Sequence, residues 1–277
     1  MILRELLPRS VYGTIGTISG KESIDKLTSF FEYNLPFINS FPKAIFSLNT
    51  KEETSDEAVK EYMDIIFDNV KDPEILLSER NRGHTFGTMD LENDIIDCIK
   101  NDYSGAEFLF KTMDDVVTYP YLLDTEIPFA DFYYLPGFSY ESIMKAGSKE
   151  NLFNIYETFE SGFWTPQTTF YIIRLHDSID LYGDDIDNKF SIYQEAKKIN
   201  SNIKPWEIEF DIKLDCESHL GRSTKDLRKY CLLDKEFNSL LDFVEQNHVG
   251  DPAHKNIFFK RLGLCHYHFY DKPVYEI

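Results

Sequence analysis

In the first half of the chain, short β-branched apolar runs alternate with longer segments of helical period. "SVYGTIGTI" (10–18), "KAIFSL" (43–48), "EILLS" (74–78) and "AEFLF" (106–110) each predict a strand. Between them, apolar residues recur every three or four positions. Ile24, Leu27 and Phe31 do so in 21–33, and Val59, Tyr62, Met63, Ile66 and Val70 in 56–70. Leu91, Ile95, Cys98 and Ile99 do so in 88–100. Each predicts a helix packed by one face. The strand starts are spaced by roughly 30 residues, the length of a βα unit. The expected fold class is therefore α/β, with a mainly parallel central sheet flanked by helices. Such sheets take ligands beyond the carboxyl ends of their strands.

The second half has a different rhythm. "KENLFNIYETFESG" (149–162) predicts a helix, "TTFYIIR" (168–174) a strand, and "DDIDNKFSIYQEAKKI" (184–199) a helix whose acidic start suits the macrodipole. "WEIEFDIKLD" (206–215) alternates apolar and charged residues, as a half-buried antiparallel strand would. "STKD" (223–226) resembles a capping box and predicts a helix reaching about Val244. The tail "CHYHFYDKPVYEI" reads as extended. No repeat, low-complexity tract or linker interrupts the chain. One continuous domain over 1–277, with a C-terminal α+β elaboration, is expected.

Charge narrows the class of partner. Among 277 residues, 48 are acidic and 29 basic, a net charge of -19. Nucleic acids and anionic membranes bind basic patches, so neither is an expected partner. Cys98, Cys216, Cys231 and Cys265 form no CxxC pair, which points to buried free thiols in a reducing compartment. No segment is apolar enough to span a bilayer, and "MILRELLPRS" is too charged for a signal peptide. A cytoplasmic location is the expectation.

The residues with chemical potential begin in "EFLFKTMDDVVTYPY" (107–121). Asp114 and Asp115 follow the fourth strand directly, where an open α/β sheet keeps its ligand. Two adjacent carboxylates repel and resist burial, and a divalent cation would remove both penalties. The plainer alternative is that they cap the next turn. "RNRGHTFGT" (81–89) matches neither a Walker A pattern nor GxGxxG, so Gly83 and Gly87 read first as turn glycines. "YGDDIDNKF" (182–190) lacks EF-hand spacing, and Asp184 or Asp185 suits a helix N-cap. His266 and His268, beside Cys265, are an H-x-H pair without further ligands. His219 sits in a loop-like "CESHLGRS". Trp164 offers either an acceptor platform or core packing.

Taken in order, "GTISG" (16–20), "LNT" (48–50), "ERNRGHTFGTMDLEND" (79–94) and "FKTMDDV" (110–116) resemble the donor half of GT-A fold nucleotide-sugar glycosyltransferases, of the family 2-like kind. The resemblance covers residues 10–125 and implies a nucleotide-sugar-binding half, with 126–277 as the acceptor side. It implies that Thr17, Ser19 and Asn49 line the base pocket and that Asn81, Arg82 and Gly83 border the donor. It further implies that Asp114 and Asp115 hold Mn²⁺ or Mg²⁺ on the diphosphate. Lys111, close before that pair, is a candidate point charge for the leaving diphosphate. His219 is the counterpart of a late metal or diphosphate ligand. Asp185, beside Asp184, is the counterpart of the base that activates the acceptor hydroxyl of a glycan or other substrate. Thr112 and Met113 stand where the family often has the first acid of its DxD motif. Two rivals stay open: a Mg²⁺-dependent phosphohydrolase, which would want an aspartate after the first strand, and a non-catalytic nucleotide- or sugar-binding module.

Overall fold

The computed structural model describes residues 1–137, 165–176, 181, 186–204, 224, 226–247, 255–267 and 273–277. Its centre is a seven-stranded sheet in the order β3-β2-β1-β4-β7-β6-β8. The strands are β1 (Ser10–Ile18), β2 (Ala44–Thr50), β3 (Pro73–Ser78), β4 (Phe108–Met113), β6 (Phe132–Gly137), β7 (Thr165–Arg174) and β8 (Lys229–Cys231). β1 to β4 run parallel. β7 opposes both its neighbours, β4 and β6, and β8 returns parallel to β6. The mainly parallel α/β sheet expected from the alternating pattern is what the structure contains.

Helices cover both faces. Tyr12 of β1 and Phe110 of β4 stand side by side in register and meet Phe41, just past α1 (Lys21–Ile38). Phe46 of β2 meets Phe31 of α1 edge-on. α2 (Asp56–Asn69) packs beside α1, its start capped by Ser55 Oγ accepting the Ala58 N–H. α3 (Gly83–Asp102) lies on the opposite face, so closely that a Cβ on Gly13 would meet Leu109 Cδ1 at 2.8 Å and Ile95 Cγ2 at 3.2 Å. The lack of a side chain at Gly13 lets this helix seat against the sheet.

A second sheet has the order β11-β9-β10-β5. β5 (Val116–Thr118) starts one residue beyond Asp115, while β9 (Asn256–Phe259), β10 (Leu264–His266) and β11 (Val274–Glu276) come from the C-terminus. The Tyr267 N–H donates to the Asp115 carbonyl at 2.6 Å. The tail thus closes back onto the end of β4. Buried Asn34 of α1 accepts from the Thr118 N–H at 2.7 Å, which ties the same segment to the helix layer.

One expected helix is replaced by other elements. The run from 223 to Val244 contains strand β8 and then α5 (Phe237–Asn247), and Thr224 and Asp226 lie in turns. Tyr230 and Cys231 pair with Tyr133 and Tyr134 of β6, and Leu232 and Leu233 are buried just beyond. A short apolar run fits a helix face or a sheet position equally well, and here an open sheet edge takes it. α4 (Ile186–Ile199) begins just after the acidic pair at 184–185. The segments 149–162 and 206–215, together with Trp164, Cys216, His219 and His268, lie outside the described residues. Cys98, Cys231 and Cys265 are buried free thiols, and burial pushes Cys265 up to about 12. Among the described residues, no helix is long and apolar enough to cross a membrane.

Candidate functional site

The strand order fixes where a ligand can sit. The chain adds β2 and β3 on one side of β1, then returns to lay β4 on the other. Above that reversal the connections diverge and leave a crevice at the carboxyl ends. Ile15 and Met113 are register partners across it, and both line a cleft of about 440 Å³.

The walls come from four separate segments. Thr17 lies near the end of β1 and Ser19 just past it, Asn49 lies near the end of β2, Asn81 and Gly83 follow β3, and Asp114 and Asp115 follow β4. These seven sequence-predicted residues therefore share one cavity. Glycines with positive φ stand at the turns into both lining helices, Gly20 (φ 91) before α1 and Gly83 (φ 78) at the start of α3. Such a backbone costs a Cβ-bearing residue energy. Both helices thus begin at the cleft and turn their positive dipole ends toward it, a setting that favours an anionic ligand.

Asn49 carries a specific chemical signal. It is 2 % exposed, and its Oδ1 accepts no hydrogen bond among the described residues. A buried amide oxygen left in this way is costly unless a ligand or water donates to it.

The acidic pair sits against a base that sequence spacing did not single out. Lys26 of α1 places its Nζ 2.8 Å from Asp114 Oδ2. Burial raises the Asp114 carboxyl above its ordinary value and the Asp115 charge raises it too, while Lys26 pulls it back down. Glu22, Ser23 and Lys51 also line the cleft. Polar residues on the first turns of α1 gave no sign in the sequence of facing a cavity rather than solvent.

Two expected donor contacts lie elsewhere. Lys111 is absent from the cleft wall: its side chain points into the layer beneath, fully buried, with Nζ 2.6 Å from Glu92 Oε1 of α3. The other carboxylate oxygen of Glu92 accepts from the Tyr171 hydroxyl at 2.7 Å. Strand alternation explains the placement, since Lys111 shares the α3-facing side of β4 with Leu109. Arg82 also turns away from the cleft, although its neighbours Asn81 and Gly83 line it. Its guanidinium spans Asp90 at 3.3 Å and Asp187 of α4, and lies over the Phe190 ring. That bond holds the Asp187 carboxyl below its usual range. Arg82 thereby ties the start of α4 to the cleft wall. Asp184 and Asp185, just before α4, are outside the described residues.

As metal ligands, Asp114 and Asp115 make a small set. Among the described residues, no group of three His, Cys, Asp or Glu side chains could hold an ion. This donor set fits Mg²⁺-type binding, in which one or two carboxylates are completed by substrate phosphates and water.

No family model matches the chain, and no curated protein matches it. Solved structures do. The mannosyltransferase Ktr4p from S. cerevisiae is similar at 9% identity and TM-score 0.39, over 82% of this chain and 69% of that one. Core-mannan synthase A from Aspergillus fumigatus, in an Mn/GDP form, is similar at 8% identity and TM-score 0.41, over 82% and 73%. A nucleoside-diphosphate-sugar pyrophosphorylase from Vibrio cholerae RC9 is similar at 11% identity and TM-score 0.38, over 79% and 90%. Likenesses this distant assign no activity.

Proposed function

We propose that this protein is a glycosyltransferase that moves a sugar from a nucleotide-diphospho-sugar to an acceptor hydroxyl. The observation that carries the reading is the convergence of Thr17, Ser19, Asn49, Asn81, Gly83, Asp114 and Asp115, from four chain segments, on one cleft at the strand reversal. The unsatisfied Asn49 oxygen supports a hydrogen-bonding ligand there, such as a nucleoside base or ribose. Two helix N-termini support an anionic group beside it.

In this reading residues 10–125 bind the donor and 126–277 supply the acceptor side. Transfer breaks the bond between the anomeric carbon and the diphosphate oxygen, whose electron pair leaves with the diphosphate. The acceptor oxygen bonds to that carbon. In an inverting transfer its proton passes to a carboxylate, for which Asp185 is the candidate and Asp184 its neighbouring helix cap. Asp114 and Asp115 would hold Mn²⁺ or Mg²⁺, which when bound supplies Lewis-acid compensation for charge on the β-phosphate. His219 remains a candidate ligand within the acceptor half.

The test is ligand-linked stability. UDP, GDP and CMP are added with Mn²⁺ or with EDTA, and the melting temperature is followed. At least one nucleotide should stabilise the protein, and more so with Mn²⁺. Asp115→Ala should abolish the metal-dependent part. An equal metal effect in that variant, or no response to any nucleotide, would overturn the reading.

A further inference from the structure

Lys26 lines the cleft beside the acidic pair. It projects from α1 into the cleft and is 38% exposed, so a ligand can reach it. Its Nζ lies 2.8 Å from Asp114, which is 27% exposed. Glu22, one helical turn earlier, lines the same wall. The acidic groups on this side, Glu22, Asp114 and Asp115, therefore face a basic residue already inside the cavity. In the nucleotide-free protein the ion pair offsets much of the repulsion that two adjacent carboxylates suffer.

Resting on the function proposed above, we propose that Lys26 is a diphosphate-binding residue that holds Asp114 in the empty site and passes to the β-phosphate when donor binds. Its ammonium has three donors on a flexible stem, suited to exchanging one oxyanion for another nearby. A divalent cation and Lys26 then draw on the same carboxylate. With Lys26 on Asp114, the empty site has a weak affinity for a free ion. Once Lys26 moves to the phosphate, Asp114 is released to complete the ion's ligand set. Diphosphate and metal thus bind with positive coupling, in either order of addition.

This predicts two opposite effects of one substitution. In Lys26→Met, affinity for UDP or GDP in EDTA should fall roughly tenfold or more, as expected for losing a charge-assisted hydrogen bond. Affinity for Mn²⁺ alone should rise, because the Lys26 ammonium no longer competes for Asp114. Lys26→Arg should retain most of the EDTA affinity and keep Mn²⁺ binding weak, which separates charge from fold. Calorimetry with each nucleotide in EDTA, and with Mn²⁺ alone, reads both effects. If the parent binds nucleotide but Lys26→Met binds it in EDTA with parent affinity, the role of Lys26 is overturned while the donor site stands. Mn²⁺ affinity that does not rise in Lys26→Met also overturns the shared-carboxylate arrangement. If the parent binds neither UDP nor GDP under any condition, the donor reading fails and takes this inference with it.

Discussion

Two lysine–carboxylate pairs lie on opposite sides of the end of β4, and they differ first in burial. Lys111–Glu92 is sealed in the layer between β4 and α3, with side-chain exposures of 0% and 1%. Lys26–Asp114 borders the cleft, with exposures of 38% and 27%. The buried pair has a third member, the Tyr171 hydroxyl on Glu92, and the Lys111 ammonium lies 5.6 Å from that tyrosine's ring centroid. Burial and the Glu92 charge both raise the Tyr171 phenol, so it stays a neutral donor. A pair so enclosed is closed to solvent and to any ligand in the cleft. The cleft pair is open to solvent on one side, so its members can separate. A lysine and a carboxylate thus make a fixed brace where both are enclosed and a contact open to exchange where both reach the cleft.

The largest expected effect tests the brace. Lys111→Met removes the lysine's charge from the buried Glu92 carboxylate, and breaking a buried pair in this way costs about 3–5 kcal/mol. Urea denaturation should register that loss. Adding Glu92→Gln, which keeps an acceptor for the Tyr171 hydroxyl, should restore more than half of it. A single variant as stable as its parent would mean that water reaches Lys111, and the contrast between the pairs would collapse.

The next effect is smaller and opposite in emphasis. Lys26→Met should change stability by no more than about 1 kcal/mol, the ordinary range of a partly exposed pair. Raising salt from about 0.1 to 1 M should shrink the difference further, because screening reaches exposed charges. A loss as large as that of Lys111→Met would make Lys26 a structural residue.

This contrast also marks what the sequence could reveal. The positions of β1 to β4 were legible because each is a short, nearly continuous apolar run, and those of α1 to α3 because apolar residues recur there at helical period. Asp114 and Asp115 were legible because their place after a strand is a one-dimensional fact. Lys111 misled because its charge sits in a strand whose alternation points it into the core. Its partner, Glu92, lies on a helix whose register against the sheet is set by the close approach at Gly13. Lys26 was invisible for the reverse reason. A lysine on the polar side of an amphipathic helix looks solvated in sequence, and only the strand order brings it to the cleft. Arg82 fell between these cases: its neighbours line the cavity, while its own head is held by Asp90 and Asp187. β8 escaped detection because three residues of strand carry too little pattern to be told from a helical turn.

The smallest effect is also the most discriminating. Asp114 has its carboxyl raised above 3.8, first by burial and then by Asp115, with Lys26 opposing. A group that binds its proton more tightly when folded favours folding while protonated. Its ionised form costs stability as pH rises from the unfolded value through the folded one. Asp114→Asn cannot titrate, and the released Lys26 is exposed enough to hydrate. The stability of the variant relative to its parent should therefore increase as pH climbs above about 4 and level off once Asp114 is fully ionised. Melting temperatures from pH 3 to pH 8, at constant ionic strength, give this difference directly. The opposite trend, with the variant losing ground as pH rises, would mean that the Lys26 contact outweighs burial. Lys26–Asp114 would then be a net brace like Lys111–Glu92. The expected trend instead describes a carboxylate kept ionised at a stability cost, a cost that a bound cation or an incoming diphosphate bringing one would remove.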